Sequence, residues 1–168
     1  MLTPELFDPD DNSFSEMAGM SVQRNYHSVA ILLPDATVLA AGGGLCGTCK
    51  SNHPDGEILS PPYLFDQNGK IAKRPVITSG PLMVKRGATI TVTSPDGEDF
   101  VLVRMSTVTH TTNTDQRRFE LVDEPGSKAG EFRLKLPSDE DGFVPGAYML
   151  FAFNAAGTPS IARTMLIQ

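Results

Sequence analysis

Hydrophobic and polar residues alternate in several short segments of the second half of the chain. Segments 89–93 and 131–136 alternate along their whole length, as expected of strands with one solvated face and one packed face. Other β-branched or aromatic runs recur every 8–12 residues or so, and Gly, Pro, Asp or Asn stand at most junctions. These runs lie at 74–77, 82–84, 100–104, 119–121, 147–153 and 162–167. The pattern predicts a seven- or eight-stranded immunoglobulin-like β-sandwich over residues 73–168.

The pattern of residues 1–72 predicts antiparallel hairpins. A short strand beginning at Glu5 is followed by an Asp-, Pro- and Asn-rich turn and by the aromatic residue Phe14. Two apolar runs, at 26–33 and 37–41, flank a Pro-Asp turn, which is a strong hairpin signal. A further run at 56–59 comes after a triple glycine at 42–44. No segment shows sustained helical periodicity, so the predicted fold class is all-β.

Length and charge narrow the classes of protein and partner. A chain of 168 residues is long enough for one domain, or for one domain and part of another. The formal net charge of -6 argues against nucleic acid and against an anionic membrane surface as partners. No apolar run approaches the roughly 20 residues that a membrane-spanning helix needs. The first residues lack the pattern of a signal peptide, so either the protein is cytoplasmic or an export signal lies outside this chain.

The candidate chemistry lies in a few aromatic side chains. The chain has three histidines and three tyrosines, and Tyr26 and His27 are adjacent while His110 lies in a threonine-rich polar segment. Imidazole nitrogens and a phenol oxygen are ligands that Cu²⁺ accepts, and copper leads the divalent affinity order for such ligands. The working hypothesis is that these three residues form most of a copper site, whose remainder lies outside this chain.

Each of these residues also has a purely structural interpretation. Neighbouring side chains of a regular strand point to opposite faces, so Tyr26 and His27 reach one ion only if the backbone is irregular where the strand begins. In a regular strand, Tyr26 would pack between sheets and His27 would be a polar residue at the strand's end. His110 would then be an ordinary solvated loop residue.

The two cysteines, Cys46 and Cys49, form a C-x-x-C motif with three interpretations. A zinc site needs four ligands, and these cysteines with His53 give at most three. A redox pair normally begins a helix after a strand, whereas here glycines surround the motif and Pro54 follows it. A short structural disulfide would place the protein in an oxidising compartment, and free thiols would favour the cytoplasm.

Several motifs together carry a family resemblance. They are R-x-Y-H-S at 24–28, L-L-P-D at 32–35, G-G-G-L-C-G-T-C at 42–49, T-H-T-T-N-T-D-Q-R-R at 109–118 and P-G-A-Y-M-L-F-A-F-N-A-A-G-T-P-S at 145–160. Over almost all of the chain they resemble the C-terminal portion of the galactose/glyoxal oxidase family of copper radical oxidases. The resemblance implies that residues 1–72 are the last kelch-type blade of a β-propeller and its connection, followed by the sandwich. Because a single blade cannot bury both faces and no second copy is found, the other blades are expected elsewhere.

The resemblance also implies roles for individual residues. His27 and His110 are expected to be equatorial copper ligands. His110 is expected on a loop that extends from the sandwich to the metal. Tyr26 is expected to be the axial phenol that takes the proton of the substrate hydroxyl. Residues that could support the imidazoles are expected nearby, and the candidates are Arg24, Asn113 and Gln116. For Cys46 and Cys49 the resemblance implies a disulfide, and hence export.

One component of the family's chemistry is missing from this sequence. The family uses a second tyrosine, cross-linked to a cysteine, as a one-electron radical cofactor carried on earlier blades. Tyr63 and Tyr148 are predicted to lie in a proline-rich connection and in a sandwich strand. Copper alone exchanges one electron, whereas oxidation of an alcohol to an aldehyde removes two. This chain alone is therefore not expected to be a competent oxidase.

The expected partners are the missing propeller blades, in the same protein or in a separate subunit. The expected substrate is a small primary alcohol or aldehyde, oxidised by O2 with release of H2O2. The alternative is a non-catalytic immunoglobulin-like module that binds carbohydrate or protein, in which the incomplete blade offers an open sheet edge.

Overall fold

The computed structural model describes residues 2–44, 47–48, 50, 52–138 and 141–168. In these residues the named elements are strands and one short 3-10 helix at Pro62–Leu64, which confirms the predicted all-β class. The chain divides into two compact units. The first comprises Met1–Leu33, Thr37–Pro62 and Val108–Thr114, and the second comprises Pro34–Ala36, Tyr63–Thr107 and Asp115–Gln168. None of the described helices is long and apolar enough to cross a membrane.

The first unit contains a hairpin and a three-stranded sheet. The hairpin pairs β1 (Glu5–Asp8) with β2 (Ser13–Glu16). The sheet is antiparallel in the order β3-β4-β5, with β3 at Val29–Leu32, β4 at Val38–Ala41 and β5 at Gly56–Leu59. The predicted hairpins are therefore present. The strand predicted at 26–33 begins later, at Val29, because the residues before it form a turn.

The second unit contains eight strands in two sheets, within the predicted number. The five-stranded sheet has the order β6-β13-β12-β8-β9, and β6 pairs with β13 in parallel while the other pairs are antiparallel. The three-stranded sheet has the order β10-β11-β7. The strands are β6 (Met83–Val84), β7 (Thr89–Thr93), β8 (Asp99–Arg104), β9 (Arg118–Glu120), β10 (Val122–Pro125), β11 (Glu131–Lys135), β12 (Gly146–Phe153) and β13 (Arg163–Ile167).

The core of the second unit lies between these two sheets. Val92 and Leu134 point inward from the smaller sheet, and Leu102, Tyr148 and Leu150 point inward from the larger one; all five are buried in one cluster. Alternation places every second residue of β7 and β11 in this core, as the sequence predicts. Each fully buried apolar side chain stabilises the sandwich by about 1.5–3 kcal/mol.

Two details of the sandwich differ from the predicted strands. The prediction of a strand at 74–77 is wrong. Pro75 has no N–H to donate to a neighbouring strand. The Arg74 guanidinium donates to the carbonyls of Pro159 and Ser160. The strand β10 was not predicted, since its sequence V-D-E-P has little β-propensity and Val122 is exposed. Its pairing with β11 supplies the hydrogen bonds that its composition does not suggest.

Candidate metal centre

Tyr26 and His27 are the central residues of a tight turn that precedes β3. The Ser28 N–H donates to the Asn25 carbonyl at 3.0 Å, and His27 has a φ of 61°. A positive φ at the third residue is the signature of a type II turn. The two side chains are thus freed from strand alternation, and their ring centres lie 4.0 Å apart. The irregular backbone that joint ligation requires is present.

The triple glycine at 42–44 lies against this turn. The Gly44 N–H donates to the Tyr26 carbonyl at 2.8 Å. At Gly42, where φ is +73°, an added Cβ would lie 2.9 Å from the His27 carbonyl oxygen. A side chain at this position would therefore displace the turn, which gives glycine a direct role in holding the candidate ligands.

His110 is presented by a second tight turn, between β8 and β9 in the chain. The backbones of Thr109 and Thr112 exchange two hydrogen bonds, of 2.9 and 3.2 Å, around the two central residues. Those residues, His110 and Thr111, have φ values of 52° and 65°. This is the pattern of a type I′ turn, which usually contains Asn and Gly. A β-branched threonine in the left-handed region is strained, and such strain concentrates at functional sites.

The two turns bring His27 and His110 together within the first unit. Their ring centres lie 5.7 Å apart, with 52° between the ring planes. Because an imidazole–metal bond is about 2.0–2.1 Å long, two imidazoles that share one ion have ring centres no more than about 6.5 Å apart. The observed separation satisfies this limit. Tyr26 packs edge-on against His27, and the residue is 71% exposed.

A hydrogen bond to one ring nitrogen of His110 leaves the other ring nitrogen available to bind a metal. The Thr109 hydroxyl lies 2.8 Å from Nδ1 of His110. If this hydroxyl accepts the Nδ1–H, the lone pair of Nε2 is available, which is how supporting residues usually orient a histidine ligand. Thr109 was not among the residues predicted from the sequence to support His110, although it directly precedes this histidine.

Arg24, Asn113 and Gln116 are the residues that the sequence predicts to support the imidazoles. The described hydrogen bonds of the Arg24 side chain go to Gly42, Asp55 and Glu57, and none goes to an imidazole. Asn113 and Gln116 are exposed, and Gln116 belongs to the second unit. Both take part in side-chain or backbone interactions.

The other tyrosines have structural roles. The Tyr63 hydroxyl donates to the Ala36 carbonyl, and the Tyr148 hydroxyl donates to the Val144 carbonyl, each at 2.8 Å. Burial raises the pKa of Tyr63, which keeps this phenol protonated. Both tyrosines belong to the second unit.

The described residues contain no group of three or more His, Cys, Asp or Glu side chains able to hold a metal. Beside the imidazole of His27 lies the exposed phenol of Tyr26. Cys46 and Cys49 lie outside the described residues, and so does their predicted disulfide.

Comparison with known proteins identifies the family. The family model for the galactose oxidase-like Early set domain matches residues 74–167. The chain belongs to the galactose oxidase-like family. It is 41% identical over 169 residues to a galactose oxidase of Gibberella zeae, an alignment that covers 99% of this chain. It is also 33% identical over 165 residues to an aldehyde oxidase GLOX of Vitis pseudoreticulata, covering 89% of this chain. The predicted resemblance to the C-terminal portion of this family is confirmed.

A solved structure of another protein matches along the whole chain. It is a fungal alcohol oxidase of the AA5 family in complex with copper, with a TM-score of 0.93 and 48% identity over all of this chain. The chain covers 36% of that protein, and it spans 25% of the galactose oxidase and 31% of the aldehyde oxidase.

Proposed function

We propose that this chain is the C-terminal part of a copper-dependent oxidase, and that Tyr26, His27 and His110 bind its copper ion. The observation that carries this proposal is the 5.7 Å separation of the two imidazole ring centres beside an exposed phenol. The comparisons support it, since the relatives are a galactose oxidase and an aldehyde oxidase, and the matching alcohol oxidase was solved with copper.

When bound, copper supplies a Lewis acid that exchanges one electron at a time. The chain's own residues hold or accept the protons near the copper ion. With the Thr109 hydroxyl accepting the Nδ1–H of His110, 2.8 Å away, Nε2 would be the ligating atom. The Tyr26 phenolate oxygen takes the proton of the substrate hydroxyl, and its exposure leaves room for a substrate to approach.

The complete reaction needs a second redox group. Conversion of a primary alcohol or aldehyde and O2 to the oxidised carbonyl and H2O2 moves two electrons. We assign the second one to a Tyr–Cys radical cofactor on the remaining propeller, either N-terminal in the same protein or in a separate subunit. The chain's share of its relatives' length supports this division. In this proposal residues 1–72 are the last kelch-type blade, and residues 73–168 are the sandwich.

We further propose that the protein is exported and that Cys46 and Cys49 form a disulfide. Mass spectrometry after alkylation without reduction tests this pairing. Two alkylated cysteines would contradict it and would favour the cytoplasm.

Copper titration of matched variants tests the proposed ligands. In the 168-residue chain, His27→Ala and His110→Ala should each abolish tight Cu²⁺ binding, and Tyr26→Phe should weaken it. His53→Ala is the control, because it removes the remaining histidine without touching the three proposed ligands. Unchanged binding in Tyr26→Phe, His27→Ala and His110→Ala would refute the proposal.

A second candidate function is a non-catalytic module that binds carbohydrate or protein. It is favoured by an exposed aromatic pair on the first hairpin, where Phe7 and Phe14 have ring centres 4.9 Å apart and are 46% and 66% exposed. A chain that folds and binds no Cu²⁺ at micromolar concentration would support this function. Assembly with a separate propeller polypeptide followed by peroxide production would exclude it.

A further inference from the structure

We propose that Arg24 is a positioning residue for the proposed copper ligands, and that it acts through the backbone of Gly42. This inference rests on the proposed copper function. Arg24 directly precedes the turn that carries Tyr26 and His27. Its side chain is only 5% exposed. A charged side chain is costly to bury unless it is paired, so the partners of this guanidinium show what it holds in place.

The guanidinium joins three separate parts of the first unit. Nη1 of Arg24 donates to the Gly42 carbonyl at 3.1 Å. The same nitrogen contacts Asp55 twice, at 3.1 Å to its carbonyl and 2.6 Å to its carboxylate. Nη2 donates to the carboxylate of Glu57 at 3.3 Å. Nη1 carries two hydrogens, so one of them is shared between two of its three acceptors, while the other arm of the planar fork reaches Glu57.

Glu57 ties the segment before Arg24 to the same sheet. Its carboxylate accepts the backbone N–H groups of Ser21 at 2.7 Å and Val22 at 3.2 Å. The hydrogen bond from the Ser21 backbone is the main cause that lowers the pKa of Glu57. The carboxylate therefore remains ionised at neutral pH and keeps the guanidinium paired.

Gly42 transmits this restraint to the proposed ligand. Its Cα has a φ of +73°, and a Cβ built on it would meet the His27 carbonyl oxygen at 2.9 Å. The Gly42 N–H also donates to the Asp55 carbonyl at 3.3 Å. Gly42 is thus fixed on one side by Arg24 and Asp55, and on the other side it faces the His27 carbonyl so closely that a Cβ would not fit. A displacement of Gly42 moves the turn that presents the imidazole.

The role differs from that of a residue bonded to the imidazole. Removal of Arg24 breaks no hydrogen bond to a histidine nitrogen. It removes the restraint on Gly42 and thereby on the turn that carries His27. Arg24→Lys keeps the positive charge and loses the fork, so it should reproduce much of the defect. A purely electrostatic role would be rescued by lysine.

The experiment compares Arg24→Lys, Arg24→Gln and Gly42→Ala with the unaltered 168-residue chain. Arg74→Gln is the matched control, since Arg74 also donates to two backbone carbonyls but lies in the second unit. One measurement is amide hydrogen exchange at Ser28 and Gly44, whose N–H groups bond within and against the turn. The other is the Kd for Cu²⁺ with its EPR spectrum, and circular dichroism checks that each variant folds.

We expect Arg24→Lys to speed exchange at both amides and to weaken Cu²⁺ binding about tenfold, with an altered EPR spectrum. Gly42→Ala should act in the same direction, and Arg74→Gln should change neither readout. Should Arg24→Gln fail to fold, Arg24→Lys and Gly42→Ala carry the comparison.

Exchange at Ser28 and Gly44 that stays unchanged in a folded Arg24→Lys chain would overturn the inference. So would faster exchange with an unchanged Kd and EPR spectrum. If the unaltered chain binds no Cu²⁺, the proposed function fails, and the exchange arm alone still decides whether Arg24 holds the turn.

Discussion

The imidazole rings of His27 and His110 lie with their centres 5.7 Å apart, although His27 precedes β3 and His110 follows β8. Both residues have left-handed backbone conformations, with φ values of 61° and 52°. Among the described residues, five that are not glycine have a positive φ. Two of those five are these histidines, so tight turns and not strands present the proposed ligands. Strained backbone of this kind persists where the surrounding structure fixes it, as at functional sites.

Removing the Thr109 hydroxyl should weaken copper binding without unfolding the chain. Thr109→Val keeps the β-branched shape but removes the oxygen that lies 2.8 Å from Nδ1 of His110. We expect the Kd for Cu²⁺ to rise about tenfold, as for other residues that orient a metal ligand. Isothermal titration calorimetry measures this change. Thr109→Ser restores the hydroxyl and should restore the affinity; a Kd for Thr109→Val equal to that of the unaltered chain would show that the bond does not matter.

Replacing the strained threonine of the His110 turn should stabilise the protein. Thr111 has a φ of 65°, which glycine adopts without the Cβ penalty. Relief of strain exceeds the entropic cost of a new glycine, so Thr111→Gly should raise the free energy of unfolding by about 1 kcal/mol. Thr114→Gly is the control, because Thr114 is not in the positive-φ region, and it should lose about 0.5–1 kcal/mol. Urea unfolding distinguishes the two variants, and a similar loss in both would contradict this prediction.

The pH dependence of stability should contain a contribution from Asp115. Hydrogen bonds from Arg104 chiefly, and from Arg117, both at 3.0 Å, hold the pKa of Asp115 below its ordinary value. A lowered pKa in the folded chain means that the carboxylate stabilises the fold at pH values above its pKa in the unfolded chain, about 3.9. This stability is lost as the pH falls through the folded pKa.

Asp115→Asn should therefore be less stable at neutral pH, and its stability should fall less steeply below about pH 4. Urea unfolding across a pH series measures both effects. Arg104→Gln should flatten the acid limb more than Arg117→Gln, since Arg104 makes the larger contribution. An acid limb in Asp115→Asn as steep as in the unaltered chain would refute the assignment.

Two Tyr→Phe variants, at Tyr26 and Tyr148, distinguish a proposed metal ligand from a residue that packs in the core. Tyr26 is 71% exposed, so Tyr26→Phe should change the free energy of unfolding of this chain by less than about 0.5 kcal/mol. Tyr148 is fully buried and donates to the Val144 carbonyl, so Tyr148→Phe should cost about 1–2 kcal/mol. Tyr26→Phe should nevertheless weaken Cu²⁺ binding while Tyr148→Phe does not. A large loss of stability in Tyr26→Phe would instead assign Tyr26 to packing.

The sandwich could be predicted from the sequence because burial imposes a period on it. In β7, Ile90 and Val92 alternate with exposed threonines, and the predicted and observed bounds agree. In β12, five consecutive residues are buried, which marks an interior strand of the larger sheet. Such patterns are local, so one sequence is sufficient to read them.

The geometry of the candidate site could be predicted only in part. The sequence motifs named Tyr26, His27 and His110, and the condition that the backbone be irregular was inferred from strand geometry. The left-handed backbone at both histidines could not be predicted, because it depends on contacts with distant residues such as Gly42. The partners of Arg24 could not be predicted either, because its bonds go to residues much later in the chain. Tertiary contacts of this kind leave no periodic signal in a sequence.

Pulsed EPR of the Cu²⁺-loaded chain measures most directly whether His27 and His110 share one metal ion. The modulation from remote imidazole nitrogens reports the number of histidines bound to copper. We expect two imidazoles in the unaltered chain and in His53→Ala, and one in each of His27→Ala and His110→Ala. A spectrum without imidazole coupling, or one that is identical in the unaltered chain and in both ligand variants, would contradict the proposed copper site.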